Sequence, residues 1–441
     1  MPARIPLSFQ QKWLWSLAQQ RHSWSCVLGY AYRLLGPLDI DALRQSLERV
    51  IARHSSLRTA VVTDDAATYQ EISEITSSGL DVVDIMGDSA EQIAAKARKL
   101  SEEFCEQDID PSVLPLIKAR LLKLAGREHI LALVVHRMIA DCFSVDQVVR
   151  ESWTEYGRVV TGLPPEPSPP ASQYSDYAIR QRQNHPQWLQ KHRDYWKDRI
   201  EGAAILRWPL ENSPDGNLQG TVGRMKRFLG GELSGALQDS ARRAHTLAAT
   251  VMLAIYVAVL SKWCKQTDFI VPFNIAGRQS EHKAVVGYFS HIVLLRMRLT
   301  GNESFKELLS LASNEFFRAL SHQDFGMMAD QHPELLAGTY FQWVSWHEDD
   351  PAAATGFPLE HPLQLKTERL QLREFGEGIT AIPPGMVDVE VTFFDTKEGI
   401  HARGVYRADR FGPSTMERFL IELQSATERF VSDPLARAVI P

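Results

Sequence analysis

A chain of 441 residues, 44% hydrophobic and 23% charged, has the composition of a folded globular protein, and its length favours two domains of about 200 residues over one. A formal net charge of -6, with no Lys/Arg run interleaved with aromatics, argues against a nucleic-acid partner. The four cysteines, Cys26, Cys105, Cys142 and Cys264, form neither a CxxC pair nor a disulfide-scaffold spacing, so a reducing, cytoplasmic setting without structural zinc is expected.

Residues 1–14 hold one arginine and no apolar core of signal length, so export is not expected. Apolar periodicity predicts a helix over 41–54, a strand near 56–63, a long helix over 90–107, strands over 114–124 and 129–136, and a helix over 145–160. Five prolines in the ten residues 163–172 then favour an extended connector and place a domain boundary there, dividing an N-terminal lobe 1–172 from a C-terminal lobe 173–441. Beyond it, a Trp-rich amphipathic helix is expected over 186–201, with Pro186 in its first turn. Trp188, Tyr195 and Trp196 on it read as core residues. One long helix over 231–265 follows, and strands over 269–275 and 285–299 come next. A helix over 305–321, alternating strands over 387–394 and 400–406 and a final helix over 414–430 complete the pattern. The longest apolar run, 247–260, is shorter than the ~18 residues of a membrane span and reads as a buried helix, so no membrane partner is expected.

The segment Val134–Val145, VVHRMIADCFSV, is a buried strand ending in His136, Arg137 and Asp141 just before a helix. A rigid strand end is a good place to present polar groups. It resembles the His-His-x-x-x-Asp-Gly signature of the condensation-domain family of nonribosomal peptide synthesis. Other segments match the family in order: Ser8 to Leu17, Arg53-His54-Ser55-Ser56-Leu57-Arg58-Thr59, Tyr174-Ser175-Asp176-Tyr177-Ala178, Val286-Gly287-Tyr288-Phe289 with Arg296, and His322-Gln323-Asp324. The resemblance spans nearly the whole chain. It implies an α/β fold of two chloramphenicol-acetyltransferase-like lobes in a V-shaped pseudo-dimer, with a tunnel between them reached by the phosphopantetheine arms of peptidyl or acyl carrier proteins. No cofactor bound directly and no metal is implied. Tunnel candidates by resemblance are Ser8, Trp15, Arg58, Tyr288 and His291.

The departures bear on chemistry. Arg137 stands where the family has its second histidine, the general base or amine positioner, and a guanidinium with a pKa above ~12 cannot accept a proton. Arg137 could bind a carboxylate or phosphate, or stabilise an oxyanion; filling the vacated space beside a local carboxylate is the preferred alternative. By resemblance, Asp141 is architectural and Arg278 is its best candidate partner, since an unpaired buried carboxylate would cost several kcal/mol. Cys142 replaces the family glycine and reads better as a small buried hydrophobe than as a nucleophile. His291 stands where the family usually has Asn and is a reserve base at most. Trp13 and Arg180 replace an arginine and a tryptophan of the family pattern, and 341–346 matches its last motif poorly.

Three functions follow. The favoured one is a non-catalytic platform that docks a carrier protein and recruits a haem or non-haem iron oxygenase in trans, similar to the oxygenase-recruiting X-type domains, which share a His-Arg-x-x-x-Asp pattern, or to interface domains of siderophore synthetases. The X-type branch usually has a second Asp where Cys142 stands. The alternatives are an amide- or ester-forming condensation domain acting by positioning alone and, last, a stand-alone acyltransferase.

Overall fold

The computed structural model describes residues 4–20, 26–65, 67–74, 77–124, 126–166, 172–209, 221–323, 332–346, 366–370 and 386–438. Residues 167–171 of the Pro-rich connector and Asp324 of the His-Gln-Asp motif lie outside this set. The chain forms two compact units.

The first unit comprises Met1–Asn184, Arg278–Ser290 and Glu348–Thr380. In chain order it contains β1 (Ile5–Pro6), α1 (Phe9–Gln20), β2 (Val27–Leu35), α2 (Ile40–Arg53), β3 (Thr59–Thr63), β4 (Thr68–Ile72) and β5 (Asp81–Asp84). Then come α3 (Ala90–Glu106), β6 (Ile117–Lys123), β7 (Glu128–His136), α4 (Cys142–Val160) and the start of α5 (Tyr174–Ile200). Much later in the chain, β12 (Lys366–Leu370) joins it. A five-stranded sheet runs β12-β2-β7-β6-β5, beside a small sheet β1-β4-β3. β7 pairs antiparallel with β2 and β6, and its continuous apolar run, Ile130–Val135, is buried on both faces. α3 packs against β2 and β7, and a Cβ at Gly29 would meet Cys105 Cβ at 2.4 Å, so only glycine permits this approach. α2 and α4 pack on each other, and their buried residues share the main core cluster with β2 and β7.

The second unit comprises His185–Gly277, His291–His347 and Ala381–Pro441. It holds the rest of α5, β8 (Val222–Phe228), α6 (Gly231–Arg243), α7 (Ala248–Cys264), β9 (Asp268–Ile275), β10 (His291–Arg298) and α8 (Phe305–Ser321). β11 (Thr339–Trp346), β13 (Val389–Thr396), β14 (Gly399–Arg407) and α9 (Pro413–Ser432) follow. Its sheet runs β10-β9-β11-β13-β14-β8, with β11 parallel to both neighbours. α7 is buried along Ala249–Ser261, as befits a central core helix. No single described helix is long and apolar enough to cross a membrane.

Four expectations change. The single helix over 231–265 is two helices bent by 107°. His245 at φ 51 and the Thr246 N–H bond to the Ala241 carbonyl close α6 in a left-handed cap without the usual glycine. α5 starts at Tyr174 and carries Pro186 inside, because Asp176 accepts the Gln173 N–H at 2.8 Å and fixes the first turn there. The strand expected over 285–299 begins only at His291, and Arg278–Ser290 groups with the first unit. Residues 55–58 form a 3-10 turn before β3.

Candidate functional site

β7 delivers His136 to the sheet's end, where the His136 N–H bonds the Leu116 carbonyl and the Arg137 N–H bonds that of Cys26, both at 2.8 Å. A tight turn follows, closed by the Ile139 N–H on the His136 carbonyl, and Asp141 caps α4. The sequence dictates this stop: an Asp three residues before Ser144 offers the first helical turn its missing acceptor. His136 Nδ1 accepts the Met138 N–H at 3.1 Å, which assigns the ring proton to Nε2. Burial, reinforced by the Arg137 charge, pulls this imidazole down to about 3. It is a neutral, structural histidine at physiological pH.

Arg137 is buried, and its charge is felt by Cys26, His136, Cys142 and Tyr288. Burial pushes the Cys26 thiol up to about 12 against the pull of Arg137. The Cys142 thiol, bonded to Tyr30, is raised for the same reason. Both remain protonated, which removes the nucleophilic form of Cys142.

Asp141 is fully engaged. Oδ1 accepts the Ser144 N–H (2.8 Å) and Arg278 Nη2 (2.7 Å), and Oδ2 accepts the Phe289 N–H (3.2 Å). Arg278 also donates to the carbonyls of His282 (3.0 Å) and Val285 (2.7 Å), and its guanidinium lies 4.4 Å from the Phe289 ring centre. Ser144 ties these groups together. Its hydroxyl accepts from Arg278 Nη2 (2.6 Å) and the Gly287 N–H (2.9 Å), and it lies 2.9 Å from Asp141 Oδ1 and 2.7 Å from the Gly287 carbonyl, one of which takes its proton. Ser144 is not among the candidates named from sequence, although the Asp-x-x-Ser capping spacing is a usable signal for it.

The remaining candidates separate. Ser8 caps α1 through its hydroxyl and meets Tyr174 Oη at 2.8 Å; that tyrosine donates to the Tyr288 carbonyl. Tyr288 is buried in the same cluster, and burial raises its hydroxyl far above the ordinary range. Trp15 packs half-buried on the core of the first unit. Arg58 binds carbonyls of Ile51, Ala52 and Ser73, joining the end of α2 to the end of β4. His291 falls in the second unit, opening β10 opposite Ile275. The adjacent Arg53 and His54 meet Glu151 and Glu155 of α4, with His54 Nε2 2.8 Å from Glu151. Arg296 pairs with Asp268 and donates to the carbonyls of Asp198, Glu201 and Gly202 at the end of α5. Among the described residues, no group of three or more His, Cys, Asp or Glu could hold a metal ion.

A family model described as the condensation domain matches residues 2–438. One of the linear gramicidin synthase proteins of Brevibacillus parabrevis is 29% identical over 427 residues, which cover 94% of this chain but 5% of that protein. The chain thus spans a small fraction of the length of the curated relatives it matches. Among solved structures, the X-domain from teicoplanin biosynthesis aligns with a TM-score of 0.82 at 23% identity, covering 99% of this chain and 97% of that one. The complex of the X-domain and OxyB from the same biosynthesis gives 0.80 at 22% identity, with 99% and 95% covered. The fold is therefore the mixed α/β fold of condensation domains, and with the match running from residue 2 to residue 438, the chain belongs to the condensation-domain family.

Proposed function

We propose that this domain serves nonribosomal peptide assembly as a non-catalytic platform: it docks a carrier protein, with its substrate on a phosphopantetheine arm, and recruits a tailoring oxygenase in trans. The carrying observation is the buried Arg137, at the motif position where a base would stand. A general base must exchange its proton near working pH, and a guanidinium does not. His136 offers no substitute, since its Nδ1 is occupied and its basicity is suppressed to about 3. The fold likeness to an X-domain whose complex with OxyB has been solved supports recruitment as the remaining role.

A second reading draws on the intact Asp141–Ser144–Arg278 clamp, which keeps the motif turn rigid. A domain that only positions two carrier-bound partners could form an amide or ester without a proton shuttle, because orientation contributes roughly 7–11 kcal/mol. Reconstitution with donor and acceptor loaded on carrier proteins, read by intact mass, separates the two. The platform reading expects no product above the domain-free control, together with measurable binding of the oxygenase. Rapid product formation that survives Arg137→Ala refutes it.

A further inference from the structure

Two histidines of the second unit turn the same kind of nitrogen toward each other. His192 of α5 is buried, and its Nδ1 lies 2.6 Å from Nδ1 of His322, the residue that ends α8; the rings are perpendicular. The surroundings hold His322 in place. Tyr195 stacks on His322 at 4.0 Å between ring centres and 4° between planes, and Trp196 Nε1 donates to the His322 carbonyl at 3.1 Å. Neither histidine has a part in the site around Arg137.

We propose that His192 and His322 form a proton-counting latch between α5 and the end of α8, closed while the pair carries at most one positive charge and opened by a second proton. A nitrogen-to-nitrogen hydrogen bond at this distance needs one Nδ1 with a hydrogen and one without. Two neutral rings satisfy this if one is the Nδ1–H tautomer and the other the Nε2–H tautomer. One imidazolium satisfies it better, because a charged donor strengthens the bond. Two imidazolium rings place N–H against N–H, and the contact must break.

The positive charges felt by His322 oppose a second proton. From α5, Lys191 and Arg199 depress His322, behind burial and the His192 charge. From α8, Arg318 adds positive charge near Tyr195. The nearby carboxylate, Glu315, is already held by Arg199 at 2.8 and 2.9 Å, and Asp198 also bonds that arginine. A histidine held below its ordinary value stabilises the fold fully above about pH 6.5, and this contribution is lost as pH falls below that value. Each excluded proton shifts the folding equilibrium about tenfold per pH unit, a fall in Tm of about 2–5 °C per unit.

Imidazole 15N spectra of the full chain test the latch directly. The expected result is a through-bond coupling between the two Nδ1 atoms while one of them is unprotonated, and its loss when the second ring takes up a proton. Thermal unfolding between pH 7.5 and 5 gives a second reading: His192→Asn and His322→Asn should each flatten the slope of Tm against pH by the amount above. Both rings reaching the imidazolium state with the stacking of Tyr195 on His322 and the junction of α5 with the end of α8 unchanged overturns the latch, and so does a slope unchanged in both variants. Should the variants fail to fold, the spectra of the unaltered chain decide.

Discussion

Removing Arg278 measures the strength of the motif clamp. Its side chain is 8% exposed and that of Asp141 1%, so Arg278→Met leaves a buried carboxylate with neutral donors only: Ser144 and the Phe289 N–H. The carbonyls of His282 and Val285 lose their Arg278 donors at the same time. Breaking a buried ion pair from one side typically costs about 3–5 kcal/mol, against about 0–1 kcal/mol for an exposed pair. In a domain of this size, where each kcal/mol moves Tm by about 2–4 °C, the loss amounts to about 6–20 °C. Asp141→Asn keeps an oxygen for the Ser144 N–H but gives up the charge, so it completes a double-mutant cycle with Arg278→Met. Calorimetry should then show the double variant less destabilised than the sum of the singles by about 0.5–3 kcal/mol. A cost for Arg278→Met below about 1 kcal/mol, or strict additivity, refutes the clamp.

Gly287→Ala should destabilise by about 1–3 kcal/mol or more, because an added Cβ would stand 1.9 Å from Cδ2 of Tyr174, whose hydroxyl is fixed between Ser8 and the Tyr288 carbonyl. A Tm equal to that of the unaltered chain contradicts this packing. Burial pushes the Glu151 carboxyl up, but hydrogen bonds from His54, Gln147 and Arg53 outweigh it and hold the group at about 2. Its stabilising contribution is therefore present above the ordinary carboxylate range and is lost as pH falls from there through about 2. His54→Ala should raise the midpoint of acid unfolding, and an unmoved midpoint argues against the His54–Glu151 contact.

Elements with strong local signals are legible in the chain. The helix Phe305–Ser321 declares itself through the reciprocal Ser304–Glu307 capping box, and β7 through an apolar run bounded by charged and polar residues. What escapes a linear reading depends on contacts. The break between α6 and α7 uses His245 where glycine is the usual sign, and the first half of α5 is polar enough to hide behind Pro186. Arg278 and Asp141 lie 137 residues apart, so only the order of family motifs, never spacing, suggests that they meet. Ser144 falls below notice because serine in a first turn is common; its importance arises from Gly287 and Arg278, which reach it from distant sequence.

Burial acts on each polar group of the motif turn in the same direction, toward inertness, with Arg137 as the exception. Asp141 has both oxygens engaged, His136 is held neutral, and the thiols of Cys26 and Cys142 are held protonated. Arginine keeps its charge when buried, because its proton is bound too tightly for desolvation to remove. The guanidinium depresses His136 further and partly offsets the burial of both thiols. A histidine in its place would respond to burial as His136 does and lose basicity. A base at this position would therefore need a compensating acceptor or water contact, whereas an arginine needs none to stay charged. The turn thus holds a fixed cation in a rigid frame, and such a cation cannot relay a proton.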